Sequence, residues 1–95
     1  MRIIITGSAG FIGYHLAKKL LKNKKNQVLG IDSLNNYYSI KVKKLRIKFL
    51  KNNKNFVFKK INLRVKSKVD KIFKIFNPDL VYHIAGQPGV LYSFK

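Results

Sequence analysis

Residues 2–13 read RIIITGSAGFIG, a β-branched run that gives way at once to three glycines spaced three apart, Gly7, Gly10 and Gly13. The run from Ile3 to Ile5 does not alternate apolar with polar, so as a strand it is buried on both faces, the habit of a parallel sheet. The segment from Phe11 to Lys24 then changes period. Ile12, Leu16 and Leu20, with Ala17 and Leu21, form one face of a helix, and Lys18, Lys19 and Lys22 lie elsewhere on it. A doubly buried strand feeding a helix through a glycine turn demands layers on both sides of a sheet.

The rest of the chain repeats that demand. QVLGID, 27–32, is a second strand, and a polar loop, SLNNYYS, leads to a helix near 40–52 on which Val42, Leu45 and Phe49 recur at three and four. FVFKKI, 56–61, mixes apolar and basic residues as an edge strand does. A third helix over 67–76 carries the stripe Val69, Ile72, Phe73 and Phe76, with Ser67 as its expected cap and Asn77-Pro78 as its stop. DLVYHIA, 79–85, is the fourth strand. The order β-α-β-α-β-α-β, with short connections, implies an α/β domain of parallel strands joined by right-handed crossovers. No repeat, linker or second domain interrupts it.

The glycines sit where a phosphate would be bound. Gly7 turns the chain sharply out of the strand, Gly10 lets backbone approach a pyrophosphate, and Gly13 lets the helix pack closely on the sheet. The helix start then offers unpaired N–H groups and a partial positive charge to the phosphates. Asp32 ends the second strand about twenty residues beyond the last glycine, the distance at which a dinucleotide fingerprint places the acid for the adenosine ribose. A carboxylate there repels a 2′-phosphate, which favours NAD over NADP.

Charge offers a competing reading. The chain has 21 Lys and Arg against three Asp and no Glu, a net charge of +18, and such a field attracts nucleic acid. The excess is almost all lysine, however, with arginine only at 2, 46 and 64, and it is spread over every helical segment rather than gathered on one. That distribution argues for a solvated surface and against a nucleic-acid partner. With no cysteine there is no disulfide or thiolate site, and His15 and His83 lack companions for a metal, so no metal is expected. No signal peptide or membrane-length apolar run is visible, and a cytoplasmic protein without membrane contact is the expectation.

TGSAGFIG resembles the TGxxGxxG turn of the extended short-chain dehydrogenases/reductases. GIDSLNNYYS, 30–39, and HIAGQPGV, 83–90, are similar to the UDP-glucuronate 4-epimerase branch of the nucleotide-sugar epimerases and dehydratases, and the resemblance covers essentially the whole chain. It implies that residues 1–95 are the N-terminal half of a Rossmann domain, four parallel strands in the order 3-2-1-4 with flanking helices, the fourth strand left as an edge. It implies an NAD site made by Gly7, Gly10, Phe11, Ile12 and Gly13. Asp32, Ser33, Leu34, Asn35 and Asn36 would surround the adenosine ribose, Asn62 and Leu63 would meet the adenine, and Ile84, Ala85 and Gly86 would line the cofactor. Gln87, Tyr92 and Ser93 would begin a wall toward a UDP-sugar substrate. In such enzymes NAD takes a hydride from the sugar C4 and returns it to the opposite face, and the complete enzyme is a homodimer.

Two positions depart from that pattern. The family usually has Asp before the leucine where this chain has Asn62-Leu63, and its branch reads Val-Arg-Tyr-Ser where this chain has Val90-Leu91-Tyr92-Ser93. An amide oxygen still accepts a hydrogen bond, whereas leucine cannot pair with a substrate anion. The family's general base is the tyrosine of Tyr-x-x-x-Lys on a helix after a fifth strand, and neither is expected here. The pairs Tyr14/Lys18 and Tyr37/Lys41 match the spacing but lie beside the glycine turn and in the loop after the second strand. No catalytic residue is therefore assigned. The expectation is an interrupted epimerase/dehydratase, inactive by itself. The alternatives are a stand-alone dinucleotide-binding module or gene remnant, and a lysine-driven nucleic-acid binder.

Overall fold

A computed structural model describes residues 1–34 and 40–84, and the backbone alone of 90–93. The elements run β1 (Arg2–Thr6), α1 (Phe11–Leu21), β2 (Gln27–Asp32), α2 (Ile40–Leu50), β3 (Phe56–Lys60), α3 (Lys66–Phe76), β4 (Leu80–His83) and β5 (Val90–Ser93). They form one sheet in the order β3-β2-β1-β4-β5. β1, β2, β3 and β4 are mutually parallel wherever they pair, as the alternation of strand and helix requires.

β1 is central, bonded to β2 along one edge and to β4 along the other, and its side chains part to the two faces. Ile3 and Ile5 join Ala17 and Leu21 of α1 and Ile47 and Leu50 of α2. Ile4 points the other way, into a cluster with Leu29, Ile31 and Val81, against which Ile72, Phe73 and Phe76 of α3 pack. A strand whose neighbours cover both edges and both faces has no side left for a polar residue, which is why the run reads Ile-Ile-Ile. β3 is an edge of the sheet and carries Lys59 and Lys60, charges that discourage further pairing.

Three expectations are corrected. β4 is not a free edge: Val90–Ser93 pairs with it antiparallel, Val90 opposite His83 and Ser93 opposite Leu80. An antiparallel partner needs only a short return, where a further parallel strand would need a crossover of a dozen or more residues. On α2 the stripe is the wrong one. Val42, Leu45 and Phe49 are 43%, 65% and 53% exposed, and the buried positions are Lys43, Ile47 and Leu50. Both rows have helical spacing, and the row that faces the sheet tolerates Lys43 because its four-carbon stem packs like an aliphatic side chain. Finally, α3 begins one residue earlier than expected, so Ser67 is inside it, and Val65 holds the cap position without a side-chain bond.

Candidate functional site

The glycine segment sits at the C-terminal ends of β1 and β2. Gly7 has φ 77°, a left-handed conformation that costs glycine nothing, and its N–H donates to the Ile31 carbonyl at 2.7 Å. The N–H of Ser8 reaches the same oxygen at 3.3 Å, and that of Gly10 turns back to Gly7 O at 3.1 Å. α1 then starts with Gly10 at its cap, whose carbonyl takes the first helical bond from Tyr14. The N–H groups of Phe11, Ile12 and Gly13 have no acceptor among the described residues. They are the unpaired donors of a helix start, with no acid in that first turn to occupy them. Gly13 cannot be replaced cheaply, since a Cβ there would lie 2.2 Å from Gly7 O.

Asp32 is the hub of the turn. It is 8% exposed, and its two oxygens take different N–H groups: Ala9 N–H on Oδ2 at 3.0 Å and Leu34 N–H on Oδ1 at 2.8 Å. Leu34 is held at φ 55°, an unusual conformation for a leucine. Asp32 therefore braces the glycine turn against the start of the next loop, and each oxygen keeps a second lone pair for another donor. Across the central strand, Thr6 Oγ1 lies 2.8 Å from His83 Nδ1 and accepts the Ile84 N–H at 3.1 Å, tying the end of β4 to the end of β1.

The structure thus brings Gly7, Gly10, Phe11, Ile12 and Gly13 together with Asp32 and Leu34, Ser33 lying between the last two, and joins Ile84 to them through Thr6. Phe11 and Ile12 are 65% and 66% exposed at the helix start, so the apolar face of α1 is carried by Gly13, Ala17 and Leu21 instead of by Ile12. Asn62 follows β3 next to Ile61, whose N–H bonds to Asp32 O at 3.2 Å. Its own Oδ1 accepts the Arg64 N–H at 3.0 Å, a local turn, while Leu63 packs against the cluster of Ile4, Leu29, Ile31 and Val81. Asn35, Asn36, Ala85, Gly86 and Gln87 lie outside the described residues, as does Tyr37 of the second Tyr-x-x-x-Lys match. Tyr92 and Ser93 are in β5 in register with Val81 and Leu80, at the opposite end of β4 from His83. The Tyr14/Lys18 pair packs: Lys18 Nζ is 5.4 Å from the Tyr14 ring and 5.2 Å from that of Phe49.

Sequence reasoning missed Arg46. From α2 its Nη1 donates to Ala9 O at 3.0 Å, and its guanidinium lies 5.9 Å from the Phe11 ring. Its only signal was its type, an arginine in a helix otherwise rich in lysine. A hollow of about 230 Å³ lies between α1 and α2 beside Lys18 and Phe49, and another beneath Lys44, Lys48 and Lys51 reaches Leu34. No described helix is long and apolar enough to cross a membrane.

Comparison with known proteins gives concordant matches. The family described as GDP-mannose 4,6 dehydratase matches residues 4–95. Protein CapI of Staphylococcus aureus is 45% identical over 95 residues, 100% of this chain and 28% of that protein. A probable UDP-glucuronate 4-epimerase of Rhizobium meliloti is 35% identical over the same span and share. The crystal structure of UDP-glucuronic acid 4-epimerase from Bacillus cereus, in complex with UDP-glucuronic acid and NAD, superposes with a TM-score of 0.83 at 38% identity, covering 95% of this chain and 28% of that one. The chain spans just over a quarter of the length of the relatives it matches.

Proposed function

Because the chain belongs to the GDP-mannose 4,6 dehydratase family, we infer that it supplies the NAD-binding portion of a nucleotide-sugar epimerase or dehydratase, with the UDP-glucuronate 4-epimerases as its branch. The observation that carries the reading is the turn itself. Three unpaired N–H groups at Phe11, Ile12 and Gly13 stand at a helix start, and a buried carboxylate closes the neighbouring loop. The residues fit a dinucleotide. The helix start takes the diphosphate, the free lone pairs of Asp32 take ribose hydroxyls, and the segments after β2, β3 and β4 surround the remainder. NAD supplies the hydride acceptor when bound. The chain's own residues bind and orient it.

Under this reading Gly7, Gly10, Phe11, Ile12, Gly13, Asp32, Ser33, Leu34, Asn35 and Asn36 hold the cofactor, with Asn62, Leu63, Ile84, Ala85 and Gly86. Gln87, Tyr92 and Ser93 belong to the sugar side. A 95-residue polypeptide by itself is proposed to bind without turnover: Lys18 of the Tyr14/Lys18 match packs over the Tyr14 and Phe49 rings, and Tyr37 of the other match lies outside the described residues. A UDP-sugar substrate and a homodimer are proposed for an assembly that includes the rest of a complete enzyme.

Calorimetric titration of the chain with NAD and with ADP-ribose tests the reading. Saturable binding of both, surviving 0.5 M salt, is expected. Absence of both would sink it, and formation of UDP-galacturonate from UDP-glucuronate would overturn the inactivity. A lysine-driven nucleic-acid binder predicts the reverse, duplex DNA bound at low salt and released at high salt. Against that alternative, the lysines occupy α1 and α2 on one side of the sheet and α3 on the other.

A further inference from the structure

We propose that Arg46 is a positioning residue of the phosphate turn, holding Ala9 in place from α2 and setting a fixed positive charge beside the diphosphate. The proposal rests on the dinucleotide reading above and adds to it a residue that the glycine fingerprint does not contain.

Ala9 is fully buried, and its peptide groups are held from two sides. Its N–H is taken by Asp32 Oδ2 at 3.0 Å, and its carbonyl by Arg46 Nη1 at 3.0 Å. No backbone N–H donates to that carbonyl among the described residues, because the first helical bond of α1 goes to Gly10 instead. The arginine therefore satisfies an oxygen that would otherwise compete for the Gly13 N–H, four residues on, by extending the helix one residue backward. Keeping Ala9 O occupied keeps the Gly13 N–H open for a ligand.

The placement also has an electrostatic consequence. A guanidinium carries five N–H donors, and only the one on Ala9 O has an acceptor among the described residues. Its carbon is 5.9 Å from the ring of Phe11, the first residue of α1, so the cation stands beside the unpaired N–H groups. α2 meets α1 further along, where the Phe49 and Tyr14 rings lie 6.1 Å apart. An arginine suits the task better than the surrounding lysines. Its planar fork can bond a carbonyl on one side and a phosphate oxygen on the other, whereas an ammonium acts as a point charge.

The test compares the parent chain with Arg46→Met and Arg46→Lys, using ADP-ribose and adenosine as probes. Arg46→Met is expected to weaken ADP-ribose about tenfold and to leave adenosine within about twofold, since adenosine has no phosphate. Arg46→Lys is expected to lose less than the methionine variant but not to reach the parent. The affinity of the parent should fall more steeply with salt than that of Arg46→Met. On the parent itself, the Arg46 side-chain N–H resonances should shift with ADP-ribose and not with adenosine, a measurement that requires no variant to fold. Equal ADP-ribose affinity in parent and Arg46→Met would overturn the proposal. So would parallel losses for both probes, which is the mark of a merely disordered turn, or Arg46 resonances indifferent to ADP-ribose. A parent chain that binds no ADP-ribose removes the cofactor reading, and this inference with it. A parent that binds while Arg46→Met is unchanged removes only the inference.

Discussion

Asp32 does two jobs with one carboxylate, and an asparagine would separate them. In Asp32→Asn one oxygen becomes an NH₂ that faces a backbone N–H, either that of Ala9 or that of Leu34, donor against donor. The expected loss is about 1–3 kcal/mol of stability, read as a lower urea midpoint, together with weaker NAD binding. A role confined to the ribose would leave the midpoint unmoved. Gly13 is the steric counterpart. Gly13→Ala forces a methyl within 2.2 Å of Gly7 O, and the contact is with backbone, so neither partner can swing aside. A destabilisation of about 3 kcal/mol is expected in urea, beside a natural preference for alanine inside helices of about 1 kcal/mol that it must first overcome. Both residues were legible in the sequence because their type and spacing carry the chemistry. Arg46 was not, because its partner is a backbone carbonyl 37 positions away and nothing in a sequence names a carbonyl.

The helices differ in how far their patterns could be read. α3 has one apolar row, Val69, Ile72, Phe73 and Phe76, and that row faces the sheet. α2 has two candidate rows, and hydrophobicity alone favours the row that stays largely outside. Ile47→Ala is expected to cost about 2–4 kcal/mol in urea unfolding, and Leu45→Ala to stay within about 0.5 kcal/mol. Comparable losses at both positions would mean that the outer row is covered. The row that is buried is the one whose Ile47 and Leu50 pack with Ile3 and Ile5 of the sheet. β5 is similar. Val90–Ser93 has the composition of a strand, but whether it pairs, and in which direction, depends on the free edge of β4 being within reach.

For the whole molecule, the net charge of +18 works against compactness, since folding brings like charges together. Salt screens that repulsion, so the urea midpoint is expected to rise between 0.02 and 0.5 M NaCl, and a fall would mean that favourable ion pairs outweigh it. The sequence by itself determined the strand-helix alternation, the central buried strand, the glycine turn and the acid that ends β2. All of these rest on local periodicity or on residues whose conformational and chemical properties travel with their identity. The parallel order β3-β2-β1-β4 was implied by the family resemblance, and the sheet adopts it. Only the tertiary structure decided which face of α2 is buried, that β4 gains an antiparallel neighbour, and that Arg46 reaches the glycine turn. Each of these depends on distance through space between segments far apart in the chain, and a one-dimensional pattern carries no term for that distance.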